Sequence, residues 1–169
     1  MLIRKAKISD LELIRDFAER TFRVAYEADN VVETFQAYCE AAFTLAQFRE
    51  EMEHPASSFW LAYVDDQLAG YLKLNFDNPH EALASTKTVQ VERIYIEPVL
   101  QGQGLGKILL EFALEQARQV GADWLWLSVW QKNPRAVSFY ERYGFEIFGT
   151  DIFYLADDPQ VDWAMRLSV

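Results

Sequence analysis

The chain has 169 residues, 51% of them hydrophobic, with a formal net charge of −10 and a single cysteine. This length and apolar content predict one folded domain, residues 1–169, and argue against intrinsic disorder. The acidic balance argues against a nucleic-acid partner, which would need Lys and Arg, and no apolar run approaches the about 20 residues that span a membrane.

Local patterns in the first half predict a strand, three helices and a hairpin. Two capping boxes, each a Ser or Thr followed three residues later by Glu or Gln, start at Ser9 and Thr44 and predict helix N-termini. The predicted elements are a strand over 2–8, a helix from Ser9 to about Arg20, a loop over 26–30, a helix from about Val31, a helix from Thr44 ending before Pro55, strands over 58–64 and 68–76, and a loop over 77–87.

The second half predicts an alternation of strands and helices. Asn133 and Pro134 are a typical N-cap and first residue of a helix, and Gly121 and Gly144 are placed as the residues that end helices. The predicted elements are a strand over 88–96, a helix over 104–120, a strand over 124–130, a helix over 134–143, and strands over 145–148, 152–155 and 161–167.

A glycine-rich turn lies between the strand 88–96 and the helix 104–120. The amides of such a turn, at the positive end of a helix dipole, form a binding site for a phosphate or pyrophosphate. The turn is not a P-loop, because Ile108 rather than Ser or Thr follows Lys107. In a dinucleotide fingerprint the third glycine would come one residue after Gly106.

Two motifs identify a family resemblance. The spacing Gln101-x-x-Gly104-x-Gly106 resembles the Q/R-x-x-G-x-G/A turn of the GNAT superfamily, the acetyl-CoA-dependent N-acetyltransferases. The segment from Asn133 through Tyr140 to Phe145 resembles the N-x-x-A-x-x-x-Y-x-x-x-G-F signature of the same superfamily. The two motifs occur in the expected order, and the predicted element order is similar to that of the superfamily over essentially the whole chain.

The resemblance implies an α/β fold of the GNAT kind. Its central sheet is mixed, mostly antiparallel and flanked by helices. Two central parallel strands, here 91–96 and 124–130, are expected to splay apart and admit the pantetheine arm of the cofactor. The expected cosubstrate is acetyl-CoA, with no metal, since His54, His80 and Cys39 show no ligand spacing.

The resemblance also implies which residues hold acetyl-CoA. Backbone amides of the turn bind the pyrophosphate, Gln101 braces the turn, and a backbone amide near Ile94 or Ile96 faces the thioester carbonyl. Lys107 either adds a cation or is an ordinary solvated lysine. The expected cofactor-binding residues are Ile94, Tyr95, Ile96, Gln101, Gly102, Gln103, Gly104, Leu105, Gly106, Lys107, Asn133 and Tyr140.

Tyr140 and Glu92 are the candidate catalytic residues. Tyr140 matches the family tyrosine near the cofactor sulfur, and a phenol with an ordinary pKa of about 10 is protonated at neutral pH and can donate. The alternative is a packed aromatic ring beside Phe139. Glu92 is the candidate base, because its carboxylate could take the amine proton directly or through water. A carboxylate on a central strand needs a partner or water in any case. The alternative is an ion pair, for example with Arg93.

The acceptor amine is the least determined part of the function. Segments 91–96, 130–133 and 162–165 resemble the PaiA-type bacterial GNATs, which implies a small-molecule amine, specifically a polyamine such as spermidine or spermine. Five residues are expected to border an acidic and aromatic opening, unless they are solvated surface: Tyr26, Glu27, Asp29, Glu33 and Asp151.

Two other functions remain open at this point. One is N-acetylation of a protein or peptide, and the other is a CoA-binding regulatory module without turnover. The lone Cys39 and the absence of a secretory signal at the N-terminus predict a cytoplasmic protein with no membrane partner. Homodimers are common in the superfamily, but no sequence feature here decides the oligomeric state.

Overall fold

Seven strands form a mixed sheet in the order β1-β2-β3-β4-β5-β7-β6 in this computed structural model, which describes residues 1–169. The strands are β1 (Leu2–Lys5), β2 (Ser57–Val64), β3 (Gln67–Asn75), β4 (Thr88–Ile96), β5 (Trp124–Trp130), β6 (Glu146–Leu155) and β7 (Asp158–Ser168). The helices are α1 (Leu11–Tyr26), α2 (Val32–Ala42), α3 (Leu45–Glu53), α4 (Leu105–Gln119) and α5 (Pro134–Tyr143). None of the helices is long and apolar enough to cross a membrane.

The parallel pair β4–β5 has a short ladder. It joins Thr88 to Trp124, Val89 to Leu125 and Gln90 to Trp126. Beyond it, β4 continues to Ile96, while β5 remains paired with β7 along its whole length. The expected loss of pairing between the two central strands is therefore confirmed, and it begins immediately before Val91.

The chain divides into two compact units. The first unit contains residues 1–73 and 93–110, and the second contains residues 74–92 and 111–169. The boundary falls inside β3, β4 and α4, so each of these elements contributes residues to both units. The single-domain organisation stays a prediction.

Aromatic side chains fill the core of the first unit. Phe22 of α1 stacks on Phe35 of α2, with ring centroids 5.5 Å apart, and Phe48 of α3 packs against Phe59 of β2. Phe35, Phe48 and Phe59 are almost completely buried. Each such ring contributes about 2–3 kcal/mol through burial of apolar surface, so these contacts hold the three helices against the strands.

The core of the second unit is mainly aliphatic. Leu125 and Leu127 of β5 and Met165 of β7 are completely or almost completely buried, together with Tyr140 of α5. Helix α5 begins and ends as predicted: the Asn133 side chain accepts a hydrogen bond from the Ala136 amide at 3.1 Å. Gly144 ends the helix with φ +102°, a backbone conformation that favours glycine.

The prediction for the first helix is wrong at both ends. Ser9 does not cap it; residues 8–10 form a 3₁₀ turn and α1 begins at Leu11. Asp10, not Ser9, makes the side-chain contacts before the helix. Its carboxylate accepts a hydrogen bond from the Lys7 amide at 2.8 Å and forms an ion pair with Arg4. The helix continues to Tyr26 rather than Arg20, since the apolar face continues through Thr21 into the aromatic core.

The strands near the C-terminus are longer than predicted. Residues 146–155 form one strand with an irregularity between Ile147 and Gly149, instead of two strands separated by a loop. The β2–β3 hairpin was predicted and is present, with Asp65 and Asp66 both at positive φ in a two-residue turn. The predicted N-cap at Thr44 is confirmed, because its hydroxyl accepts from the Gln47 amide at 3.1 Å. The Gln47 side chain donates to Glu51 instead of completing the capping box.

Candidate active site

The glycine turn lies in the first unit between β4 and α4. Gly102 and Gly104 adopt φ +80° and +82°, and a Cβ placed on either would meet no atom within 4 Å. The first hydrogen bond of α4 runs from the Ile108 amide to the Gly104 carbonyl at 3.2 Å. The first turn of α4 contains no acidic residue. The turn therefore offers helix N-terminal amides and open space to an anion, which fits the pyrophosphate of CoA.

The other predicted residues of the first unit lie on the strand that leads into this turn. The Gln101 side-chain amide donates to the Ile96 carbonyl at 3.3 Å, so it ties the turn to the end of β4. Ile94 is partly buried and Ile96 is buried. Lys107 is exposed on α4, next to Leu105 and Gly106.

Tyr95 is held by aromatic neighbours of the first unit. Its ring stacks on Tyr71 at 5.6 Å with an interplanar angle of 7°. Burial of the hydroxyl, followed by charge interactions with Tyr26 and Tyr71 and a hydrogen bond with Tyr26, raises the pKa of Tyr95 well above its usual value. Tyr26 was expected in the acceptor opening, and this contact gives it a structural role in supporting β4.

Gly70 is a residue that the sequence analysis missed. A Cβ at this position would lie 2.6 Å from the Tyr95 carbonyl oxygen and 2.8 Å from Cδ1 of Ile96. Only glycine therefore lets β3 approach the end of β4 this closely. An isolated glycine inside a strand was the signal in the sequence that indicated such a close approach.

Glu92 lies at the end of the second unit's part of β4. Its carboxylate accepts a hydrogen bond from the Asn75 side-chain amide at 2.5 Å, and the same amide donates to Gln90 at 3.0 Å. Arg93 pairs with Glu51 of α3, through two contacts of 2.8 and 3.1 Å. Asn75 is a partner of Glu92 that sequence reasoning did not find, and the ion-pair alternative for Glu92 stays a prediction.

Tyr140 and Asn133 belong to α5 in the second unit. Tyr140 is buried, with its ring centroid 5.2 Å from Phe139 and 5.7 Å from Phe145. Its carbonyl accepts from the amides of Gly144 and Phe145, which end the helix. These contacts show that the ring is packed beside Phe139, as the alternative interpretation of Tyr140 predicts. Packing of the ring is compatible with a role for the hydroxyl.

Asp151 is the centre of a polar cluster in the second unit. Its carboxylate accepts from the Ser128 hydroxyl at 2.5 Å and lies 3.1 Å from Nε2 of His80. Asp162 lies directly opposite Asp151 in the β6–β7 ladder. Burial, followed by the charge of Asp151, raises the pKa of Asp162 to about 6. Sequence reasoning named Asp151 but not His80, Ser128 or Asp162.

The other acidic candidates are surface residues of the first unit. Glu27 is exposed and pairs with Arg23 at 3.3 Å. Asp29 and Glu33 are also exposed. No group of three or more His, Cys, Asp or Glu side chains is arranged to hold a metal ion.

A family model described as the acetyltransferase (GNAT) family matches residues 12–145. The chain is 34% identical over 157 residues to an uncharacterized N-acetyltransferase in the pepI 3′ region of Lactobacillus delbrueckii subsp. lactis, covering 93% of this chain and 91% of that relative. It is 30% identical over 109 residues to the peptidyl-lysine N-acetyltransferase YjaB of Salmonella typhimurium, covering 60% of this chain and 63% of YjaB.

Two solved structures have the same fold. The PaiA N-acetyltransferase of Thermoplasma acidophilum, in complex with coenzyme A, has a TM-score of 0.79 at 22% identity, covering 99% of this chain and 98% of that one. The spermidine/spermine N-acetyltransferase SpeG of Vibrio cholerae has a TM-score of 0.69 at 19% identity, covering 99% and 93%.

The turn at Gly102 and Gly104, the short β4–β5 ladder and the family match over most of the chain agree with one another. The chain belongs to the acetyltransferase (GNAT) family and is an N-acetyltransferase that uses acetyl-CoA.

Proposed function

We propose that the protein transfers the acetyl group of acetyl-CoA to a primary amine of a polyamine such as spermidine or spermine. The observation that carries this proposal is the environment of the Asp151 carboxylate. It is held by a hydroxyl and an imidazole, and no Lys or Arg pairs with it. A carboxylate with no Lys or Arg beside it favours a cationic acceptor over a neutral one.

Bound acetyl-CoA supplies a thioester-linked acetyl group. The amides between Gly102 and Lys107 hold its phosphates, and a backbone N–H near Ile94 or Ile96 donates to the carbonyl oxygen as negative charge develops there. Asn133 donates or accepts a hydrogen bond along the pantetheine arm. These assignments follow the family resemblance, and the open space at Gly102 and Gly104 supports the first of them.

Two side chains move protons in the proposed mechanism. The Glu92 carboxylate takes the proton that the amine must lose as its nitrogen forms the new bond to the acetyl carbon. The Tyr140 hydroxyl gives its proton to the sulfur as the carbon–sulfur bond breaks. The Asn75 amide beside Glu92 supports the first role, because its hydrogen bond holds the carboxylate in one orientation.

The alternative acceptor is a peptide amine, which the likeness to a peptidyl-lysine N-acetyltransferase keeps open. The test is release of the free CoA thiol from acetyl-CoA with spermidine, spermine, a lysine peptide and a peptide with a free N-terminus. We expect turnover with the two polyamines. Turnover with peptides alone would show that the acceptor is a peptide amine and not a polyamine. Binding of acetyl-CoA with no turnover at all would favour a regulatory module. A cytoplasmic location and a homodimer both stay predictions.

A further inference from the structure

An ion pair joins α1 to the residue that follows β4. The Arg20 guanidinium donates two hydrogen bonds to the Glu97 carboxylate, Nη1 to Oε1 at 2.8 Å and Nη2 to Oε2 at 2.6 Å. This two-pronged arrangement fixes the direction of both side chains as well as their distance. The hydrogen bond from Arg20 lowers the pKa of Glu97, so the pair is charged at neutral pH. The partners are 77 residues apart in the chain, so the contact ties two distant segments of the first unit together.

Glu97 begins the connection from β4 to the glycine turn. Its amide donates to the Ala69 carbonyl of β3 at 2.8 Å, and its own carbonyl accepts from the Leu100 amide at 2.9 Å. Residues 98–100 form a 3₁₀ turn that leads through Gln101 into the glycines. The backbone of Glu97 is therefore hydrogen-bonded to the sheet on one side and to this 3₁₀ turn on the other. Its position sets where the glycine turn begins.

Arg20 is itself held by a helix that is anchored to the sheet. Its guanidinium carbon lies 5.1 Å from the centroid of the Phe17 ring, which is one turn earlier on α1. Phe17 is buried and meets Tyr71 of β3 edge to face, with ring centroids 5.9 Å apart. Contact with an aromatic face restrains a guanidinium, so Arg20 is presented to Glu97 in a defined position.

The glycine turn benefits from a fixed point of this kind. Gly102 and Gly104 both have positive φ, and glycine has more conformational freedom than any other residue. Side-chain support from Gln103 is weak, since its amide reaches the Val99 carbonyl only at 3.5 Å. A site whose groups are held in place before the ligand arrives binds more tightly, because less conformational entropy is lost. An anchor at the base of the turn therefore favours binding of the pyrophosphate.

We infer that Arg20 is a positioning residue for acetyl-CoA, because its ion pair with Glu97 holds the glycine turn in the arrangement that binds the pyrophosphate. The inference rests on the role proposed above for the turn. Arg20 acts through Glu97 and needs no contact with the cofactor. The alternative is that Arg20 attracts the anionic cofactor at a distance, as any cation would.

Neutralising each partner in turn separates the two explanations. If only long-range charge mattered, Glu97→Gln would strengthen CoA binding, because it removes a negative charge near an anion. If the pair positions the turn, the same substitution weakens binding. We expect Arg20→Gln and Glu97→Gln each to raise Kd for CoA by about fivefold. The double variant should be within about twofold of either single one, because both substitutions remove the same interaction.

Calorimetric titration of CoA without an acceptor amine is the measurement, and thermal unfolding shows that each variant is folded. Arg23→Gln is the matched control, since Arg23 lies on the same helix and pairs with Glu19 and Glu27. Its Kd for CoA should equal that of the wild type. In turnover, Arg20→Gln should raise KM for acetyl-CoA and leave kcat within about twofold. Unchanged or tighter CoA binding by Glu97→Gln would overturn the inference.

The Gly104 variants distinguish failure of this inference from failure of the proposed role of the turn. If Gly104→Asp binds CoA more weakly than Gly104→Asn does, while Glu97→Gln binds it normally, the inference alone is wrong. If the two Gly104 variants bind CoA equally, the turn does not hold the phosphates and both are wrong. A different acceptor amine would affect neither result, because CoA binding is measured without the acceptor.

Discussion

The Asn75 side-chain amide donates to the Glu92 carboxylate at 2.5 Å, across the two strands β3 and β4. This hydrogen bond gives the candidate base a neutral partner that holds its orientation. Arg93, the adjacent cation in the sequence, pairs with Glu51. The Asn75 amide thus fixes the orientation of the Glu92 carboxylate across the two strands.

We expect Glu92→Gln to lower kcat by about 100-fold, because the amide cannot take the proton of the attacking amine. Binding of acetyl-CoA should be unchanged. The measurement is steady-state CoA release at saturating acetyl-CoA. Glu141→Gln, an exposed change on α5, is the control. An unchanged kcat in the Glu92 variant would remove the base from the mechanism.

Tyr140→Phe removes one hydroxyl and keeps the ring that packs on Phe139 and Phe145. We expect kcat to fall by about 100-fold or more through loss of the proton donor, while KM for acetyl-CoA changes by less than about threefold. Tyr143→Phe is the matched control, since Tyr143 is a partly buried tyrosine of the same helix. If both variants keep full turnover, Tyr140 is only a packed aromatic residue.

Substitutions at Gly104 separate backbone strain from charge. Asn and Asp have the same shape and both tolerate the left-handed region, so Gly104→Asn and Gly104→Asp should cost similar stability, about 1 kcal/mol. Only the aspartate should repel the pyrophosphate. We expect it to weaken CoA binding at least about tenfold more than the asparagine does, measured by titration calorimetry.

Gly121 provides the control for that comparison. It also has a positive φ, +66°, and an added Cβ would meet no atom within 4 Å. Gly121→Asp should therefore lower stability by a similar amount and leave CoA affinity unchanged. Equal CoA affinities for the two Gly104 variants would show that the turn does not hold the phosphates.

The raised pKa of Asp162 implies that the free energy of unfolding depends on pH. Its pKa rises from 3.8 to about 6 on folding, mainly through burial and then through Asp151. The folded state holds this proton more tightly than the unfolded state, so ionised Asp162 destabilises the fold above pH 6 and has no such effect below about pH 4. The full shift corresponds to about 3 kcal/mol, and partial exposure reduces this to about 1–2 kcal/mol.

Asp162→Asn should therefore raise the free energy of unfolding by about 1–2 kcal/mol at pH 8, with the gain disappearing as the pH falls towards 4. Denaturant unfolding at several pH values measures it. Asp157→Asn should show no such pH-dependent gain, because Asp157 is exposed. A gain in the Asp162 variant that is constant across pH would contradict the assigned cause.

The Glu51 carboxylate forms ion pairs with two cations of the first unit. Its Oε2 atom lies 2.8 Å from Nζ of Lys73 and 2.8 Å from Nη1 of Arg93. Burial opposes its ionisation, but Arg93 and Lys73 outweigh burial and lower the pKa of Glu51. Its stabilising effect is therefore present at neutral pH and lost as the pH falls through that lowered pKa.

We expect Glu51→Gln to destabilise the fold by about 3 kcal/mol at neutral pH, because the buried Lys73 and the partly buried Arg93 both lose the charge of the carboxylate that pairs with them. Chemical denaturation is the measurement. Glu53→Gln, at the exposed end of the same helix, should cost less than about 0.5 kcal/mol. Similar losses in the two variants would show that the buried network contributes little.

Local sequence was enough to determine β4, β5 and α5, whose bounds match the predicted ones. Strand alternation, an Asn-Pro helix start and a glycine helix end act between residues a few positions apart, so one sequence contains the whole signal. The glycine turn is similarly local. The family resemblance then assigned roles to these segments that periodicity alone does not contain.

Tertiary structure alone decided which side chains meet. Asn75 and Glu92 are 17 residues apart, Glu51 and Arg93 are 42 apart, and both pairings depend on strand register and helix packing. The same is true of Asp162, whose unpartnered oxygen follows from its position opposite Asp151. A one-residue change of register would turn every side chain of a strand to the other face. Register is set by the packed core, which no short segment of the sequence specifies.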